Sequence, residues 1–178
     1  LGIEHILLGI EHILLGIDHL LFVLALIMIT KGKWRILKTI TAFTLAHSIT
    51  LSLAALGVVN FPGPPVEAVI ALSIVFLASE IMKNQRGQQT MTSKKPWIVA
   101  FTFGLLHGFG FAGALADIGL PQTEIPIALA FLNVGVELGQ IIFVVFMLAV
   151  IYLINLKKDW PPVLRKVSAY AIGSLAAF

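Results

Sequence analysis

Three acid–histidine pairs lie in the apolar opening stretch of the chain and recur every seven residues: Glu4-His5, Glu11-His12 and Asp18-His19. On a continuous helix, a seven-residue repeat places each set of side chains on one nearly straight stripe. Ionisable groups inside a membrane-length apolar segment are costly, and they usually face a protein interior or a water-filled path. Imidazole beside carboxylate also provides ligands for divalent transition metals. The pairs therefore indicate metal chemistry within a membrane.

The composition supports a membrane setting. The chain has 178 residues, of which 58% are hydrophobic and 12% are charged, and it contains no cysteine. A soluble domain normally carries about a quarter charged residues, so this chain has too few polar groups to cover a water-facing surface. We therefore expect one transmembrane domain over residues 1–178. The lack of cysteine excludes disulfides and thiolate metal sites.

The apolar runs predict an all-α, polytopic bundle. A run of about 20 residues crosses about 30 Å of hydrocarbon. The sequence contains six such runs, separated by polar or Pro- and Gly-rich breaks: residues 8–30, 37–59, 66–83, 97–118, 126–156 and 163–178. Residues 43–47 resemble residues 103–107, a similarity that suggests parallel repeats of helical hairpins.

The basic residues predict an orientation. All twelve Lys and Arg residues lie beside alternate breaks, hence on one side of a six-span bundle. The positive-inside rule places this side in the cytoplasm and both termini outside. We attribute these charges to membrane topology rather than to binding, so we expect no nucleic-acid partner. Glu80, near the same side, is expected to pair with Lys83, three residues further on.

The first predicted span is too long for a straight crossing. A helix from Leu1 to Thr30 would measure about 45 Å, which overshoots the hydrocarbon core by about two turns. Residues 1–7 also repeat residues 8–14 letter for letter. We therefore give Glu4 and His5 low functional weight. Since residue 1 is Leu rather than Met, we expect a processed or truncated start.

Several polar residues are predicted to lie at one depth. Counting about 1.5 Å per residue from the nearest boundary places His19, His47, His107 and Glu137 near the midplane. On a continuous helix, His12 and His19 lie about 10.5 Å apart, so we predict two stations, an outer acceptor at Glu11/His12 and a midplane site. The candidate metal ligands are His12, Asp18, His19, His47, His107 and Glu137, with Glu11 and Asn133 as secondary candidates. Ser73 and Gln140 are expected to form interhelical hydrogen bonds.

The histidine motifs resemble those of a known family. His12, five residues, then Asp18-His19, together with residues 43–48, 103–108 and 131–140, are similar to the HupE/UreJ family. These are small membrane proteins linked to hydrogenase and urease maturation, and the resemblance covers nearly all of residues 8–156. It implies a nickel permease, or in some relatives a cobalt permease, of the bacterial inner membrane. It supports His12, Asp18, His19 and His107 as site residues.

The chain departs from this family in one respect. The better-studied branch has a Glu close after its span-four His-Gly, whereas here His107-Gly108 is followed by Phe109-Gly110-Phe111-Ala112. The chain therefore resembles the second, less characterised branch. Our hypothesis is that Glu137 supplies the absent carboxylate.

Three functions are consistent with these sequence features. The first is secondary transport of a divalent transition-metal ion, nickel or cobalt, with uptake favoured and with binding weakened as pH falls through the histidine range. The sequence has no Walker-type nucleotide loop, so ATP coupling would need a partner. The second is an intramembrane metal-dependent hydrolase, holding zinc and assisted by Ser48. The third is a structural or accessory subunit of a larger membrane complex, whose polar groups pair with each other. As partners we expect the lipid bilayer, the metal ion, and either further copies in a homo-oligomer or an accessory complex. We favour a protein that is not an enzyme.

Overall fold

In the computed structural model, the residues described are 2–59, 61–110, 124–155 and 170–174. These residues form helices joined by short connections, with a further helical stretch at 170–174, and they include no strand. The helices are α1 Gly2–Leu15, α2 Ile17–Ile29, α3 Lys33–Ala55, α4 Gly63–Gln85, α5 Met91–Lys94, α6 Pro96–Gly110 and α7 Ile125–Asn155. The all-α prediction is confirmed over these ranges.

Length and hydropathy identify the candidate membrane spans. α3, α4 and α7 are each long and apolar enough to cross a membrane. α1 and α2 qualify only as a bent pair, and α6 is a shorter apolar helix. The described residues therefore hold three candidate spans, or up to four if the bent pair is one span, as expected of a membrane protein. Residues 111–118, and most of the predicted last span at 163–178, lie outside the described ranges, so the count of six stays a prediction.

The first predicted span, 8–30, is not one straight helix. α1 and α2 meet at Gly16 with a bend of 72°. Gly16 has extended backbone angles, φ −75° and ψ 94°. A Cβ at this position would lie 2.7 Å from the His12 carbonyl oxygen and 2.9 Å from His19 Nδ1. A glycine therefore allows the bend, and the bend accounts for the apparent surplus length, because α1 leaves the axis of α2.

Glycines bring α1 against α7. A Cβ on Gly9 would lie 2.8 Å from the backbone nitrogen of Val136, and a Cβ on Gly139 would lie 3.2 Å from the Cα of Ile10. Small residues of this kind let two helix backbones approach closely inside a membrane. α1 is therefore fixed along α7 through backbone-to-backbone packing.

Close packing at glycines also joins α3 and α6. A Cβ on Gly104 would lie 2.6 Å from the Phe43 carbonyl oxygen, and one on Gly108 would lie 3.0 Å from the backbone nitrogen of Leu51. Gly104 and Gly108 are four residues apart, so both lie on one face of α6. This contact sets the distance between the two helices that carry His47 and His107.

α2 is the central helix of the described bundle. It contacts α3, α4, α6 and α7, and Phe22 and Ala25 are fully buried. A helix that is apolar around its whole circumference belongs in the interior of a bundle. The start of α2 therefore carries His19 into the middle of the structure.

The basic breaks around residues 31–33 and 84–96 lie at one end of the bundle. Arg35, in the first turn of α3, donates from Nη2 to the Lys94 carbonyl oxygen at 2.8 Å. The buried carboxylate of Glu80 accepts from Thr92 Oγ1 at 3.0 Å and pairs with Lys83 Nζ at 3.3 Å. The predicted pairing of Glu80 with Lys83 is confirmed. We call this the basic end of the bundle.

The packing of α6 on α3 gives a direct prediction. Gly104→Ala should lower the melting temperature of the purified protein, because overpacking a close contact costs about 1–3 kcal/mol and exceeds the helix-propensity gain of alanine. Gly63→Ala is the matched control, since its Cβ would come no nearer than 3.9 Å to the atoms around it, at Glu67 Oε1. Equal melting temperatures for the two variants would contradict this packing.

Candidate metal centre

Three imidazoles from three helices meet at one place. His12 of α1, His19 of α2 and His47 of α3 each offer a ring nitrogen, and these nitrogens all lie within 4.8 Å of one another. The ring centroids are 4.6 Å apart for His12 and His19, and 5.9 Å apart for His19 and His47. His19 is 7% exposed and His47 is fully buried. We call these three residues the histidine cluster.

The cluster corrects the prediction of two stations. That prediction placed His12 and His19 about 10.5 Å apart because it assumed one continuous helix. The 72° bend at Gly16 turns α1 away from the axis of α2, and the two rings lie in edge contact with their centroids 4.6 Å apart. His12 and His19 therefore lie in one cluster, and the predicted separation of an outer His12 from a midplane His19 is wrong.

His107 of α6 lies beside the cluster. Its ring centroid is 5.1 Å from that of His19, and its side chain is fully buried. Ser73 of α4 lies 3.1 Å from His107 Nε2 and donates its only hydroxyl proton to the Ile70 carbonyl oxygen at 2.6 Å. The Nε2–H of His107 must then donate to Ser73, which leaves a lone pair on Nδ1. Ser73 thus holds the tautomer that a metal ligand needs, as partners of ligating histidines usually do.

Several buried ring nitrogens of these histidines have no hydrogen-bond partner within the described ranges. They are His19 Nε2, both nitrogens of His47 and His107 Nδ1. Most buried polar groups in proteins are hydrogen-bonded, so each exception calls for an explanation. The mutual pairing of Asp18, His19 and His47, which a purely structural role predicts, is not formed.

Two phenylalanines form the apolar wall of the site. Phe22 lies 4.9 Å from the His107 ring, and Phe43 lies 5.2 Å from the same ring and is stacked on His47 at 6.0 Å. Both phenylalanines are at most 1% exposed. They restrict the orientation of the imidazoles and keep bulk water away from that side of the site.

The predicted acidic ligands lie elsewhere. Asp18 is exposed in the first turn of α2, where a carboxylate favours the helix dipole, and Glu11 is exposed on α1. Glu137 of α7 accepts a hydrogen bond from Thr41 Oγ1 at 2.7 Å and is not among the groups that share the cluster. Asn133 does lie near the site, with its side chain beside His47.

Sequence reasoning identified the four histidines but not the residues that position them. Ser73 and Gln140 do form the expected interhelical hydrogen bonds, to His107 and Thr44. The orienting role of Ser73, the break at Gly16 and the wall of Phe22 and Phe43 were not predicted. The only signal for the break was a glycine between His12 and His19, which is also common in straight membrane helices.

Ser48 does not support nucleophilic chemistry. Its hydroxyl donates to the Thr44 carbonyl oxygen at 2.6 Å, and neither ring nitrogen of His47 hydrogen-bonds to a described residue. An activated serine needs a base within hydrogen-bonding reach of its oxygen. The assisting role of Ser48 that a hydrolase would use is therefore not formed.

The donor set suits a borderline divalent metal. Imidazole nitrogen is a preferred ligand for nickel, zinc and copper, whereas magnesium and calcium prefer oxygen. The ring nitrogens of the histidine cluster lie close enough together for one ion to bridge them. His107 Nδ1 adds a fourth nitrogen at the edge of the site.

The comparisons with known proteins agree with this chemistry. The family model described as HupE / UreJ protein matches residues 2–178, and this family is linked to nickel and cobalt accessory or permease functions. No curated protein and no solved structure matches the chain. The matched range includes the four histidines, the break at Gly16 and Ser73, and the chain belongs to the HupE/UreJ family.

Proposed function

We propose that this protein is a secondary transporter for a divalent transition-metal ion, with nickel or cobalt as the preferred substrate and uptake as the direction. One structural observation is the main support for this proposal. Imidazoles from four helices meet at a buried place, and nitrogens on His19, His47 and His107 are left unbonded by the described residues. Family membership supports the choice of metals. The ion is the substrate, held at the histidine cluster with His107 as a fourth ligand.

The charge of the site favours transport of the metal ion over its permanent binding. A divalent cation bound only by neutral imidazoles keeps its charge, and burial of an uncompensated charge is unfavourable. Conduction requires binding that is firm enough to admit an ion and weak enough to release it. A ligand set of neutral imidazoles meets this condition better than a set of imidazoles and a carboxylate would.

The proposed topology places the site within the membrane. We assign six spans with both termini outside, in a bacterial inner membrane, so that the basic end of the bundle faces the cytoplasm. His47 lies about 14 Å along α3 from Lys38, and His107 lies about 17 Å along α6 from Pro96. Both distances are about half of a 30 Å hydrocarbon core. An ion entering from outside would therefore be bound at mid-depth.

Removal of a central ligand tests the transport proposal. In proteoliposomes, His47→Ala should reduce Ni²⁺ and Co²⁺ uptake at least about tenfold, since even outer-shell changes at metal sites cost about 10–100-fold. Ser48→Ala is the matched control, because it removes a neighbouring hydroxyl whose bond is to the Thr44 carbonyl. It should keep uptake near the wild-type rate. Wild-type uptake by His47→Ala would refute the proposal.

Ser73 should act through the tautomer of His107. Ser73→Ala removes the acceptor of the His107 Nε2–H and should weaken Co²⁺ binding about 10–100-fold, whereas Ser73→Thr, which keeps a hydroxyl, should restore it. A merely structural role would change the melting temperature but not the number of nitrogen ligands in the Co²⁺ absorption spectrum.

The chain offers a control on the same helix. Ser79 makes the same kind of bond, to the carbonyl oxygen three residues earlier at 2.7 Å, but it is exposed. Ser79→Ala should bind Co²⁺ like the wild type. If Ser73→Ala binds as tightly as Ser79→Ala, the assigned orienting role is wrong.

A further inference from the structure

A row of polar side chains runs along the contact between α3 and α7, from the histidine cluster toward the basic end. Its members face each other across the contact in three places: Asn133 lies beside His47, Thr44 donates to Gln140, and Thr41 donates to Glu137. From His47 to Thr41 the row covers about 9 Å along α3. Polar groups that continue from a buried site in one direction form a candidate path for the bound ion.

The carboxylate of Glu137 is the most informative member of the row. It lies within the span Ile125–Leu153, and its hydrogen bond comes from Thr41 Oγ1 at 2.7 Å. Among the residues described, no cation pairs with it, in contrast to Glu80, which pairs with Lys83. A charged carboxylate within a membrane span normally pairs or lines an ion pathway. Glu137 therefore has an uncompensated charge that a passing cation would balance.

Gln140 supplies the second observation. Its side chain is fully buried, and its Nε2 has no hydrogen-bond partner within the described ranges. Thr44 Oγ1 lies 3.0 Å from Gln140 Oε1 and also reaches the Ile40 carbonyl oxygen at 3.2 Å. If the amide rotates by half a turn, Nε2 donates to Thr44 while Thr44 donates to Ile40, and Oε1 becomes free. Gln140 can thus present an oxygen ligand to the row.

The far end of the row lies at the surface, near the basic end of the bundle. Thr41 lines a surface groove of about 430 Å³ together with Trp34, Leu37, Lys38, Ala42 and Leu45. Lys38 is the one charged side chain among the described residues that line this groove, and its ammonium lies 4.7 Å from the ring centroid of Trp97 on α6. The Thr41 end of the row therefore lies at the surface of the described bundle, close to the first turns of α3.

We propose that Glu137, with Thr41 and Gln140, is a second cation station, built of oxygen ligands, through which the ion leaves the histidine cluster. This inference rests on the transport function proposed above. The imidazoles select a borderline metal without balancing its charge, and the carboxylate further along balances the charge without that selectivity. Two stations of different chemistry let an ion move on without one very tight site.

The test measures the two stations separately on the purified full chain. Mn²⁺, which prefers oxygen ligands, probes the second station, and the absorption spectrum of Co²⁺ probes the histidine cluster. Glu137→Gln should weaken Mn²⁺ binding at least tenfold, keep the nitrogen-ligand spectrum of Co²⁺ and slow Co²⁺ uptake into proteoliposomes. His47→Ala should abolish the Co²⁺ spectrum and retain Mn²⁺ binding.

The control is Glu67→Gln, which removes an exposed carboxylate on another span, α4. It should match the wild type in both assays. If Glu137→Gln behaves like Glu67→Gln while His47→Ala abolishes uptake, the second station is refuted. The transport proposal is then retained. If His47→Ala leaves Co²⁺ uptake unchanged, the carrier proposal itself fails.

Discussion

The close approach of His12 and His19 across the break at Gly16 is the contact on which the rest of this site depends. Two histidines seven residues apart on a straight helix cannot share one ion, but here their ring centroids lie 4.6 Å apart. A side chain at Gly16 would collide with the His12 carbonyl oxygen and with His19 Nδ1. His47 and His107 complete a centre that this bend makes possible.

The surrounding packing holds a centre that is unfavourable when its nitrogens are unbonded. Each unsatisfied buried polar group costs about 1–3 kcal/mol, and at least four ring nitrogens here are in that position. The close glycine contacts of α1 with α7 and of α3 with α6 fix the backbones that carry them. Phe22 and Phe43 then limit how the rings can turn away. The unsatisfied ring nitrogens thus lower the stability of the fold at the site where a bound metal ion would satisfy them.

Residue counting along the sequence grouped the histidines at the correct level, but it did not predict which way each side chain points around its helix. Counting residues from the span boundaries placed His19, His47 and His107 at one level, and the structure brings these three together. The same counting grouped Asp18 and Glu137 with them. Adjacent residues on a helix point about 100° apart, so Asp18 and His19 cannot both face one centre. The break at Gly16 was not predicted, because heptad spacing alone does not distinguish a bent helix from a straight one.

X-ray absorption spectroscopy of the purified protein loaded with one equivalent of Ni²⁺ or Co²⁺ tests the central claim most directly. The multiple-scattering pattern of imidazole counts the histidines around the metal. A single centre formed across the bend at Gly16 predicts at least three imidazoles on one ion, with no carboxylate ligand. One or two imidazoles with oxygen ligands filling the remaining positions would show that His12 and His19 do not bind the same ion, and would contradict this account.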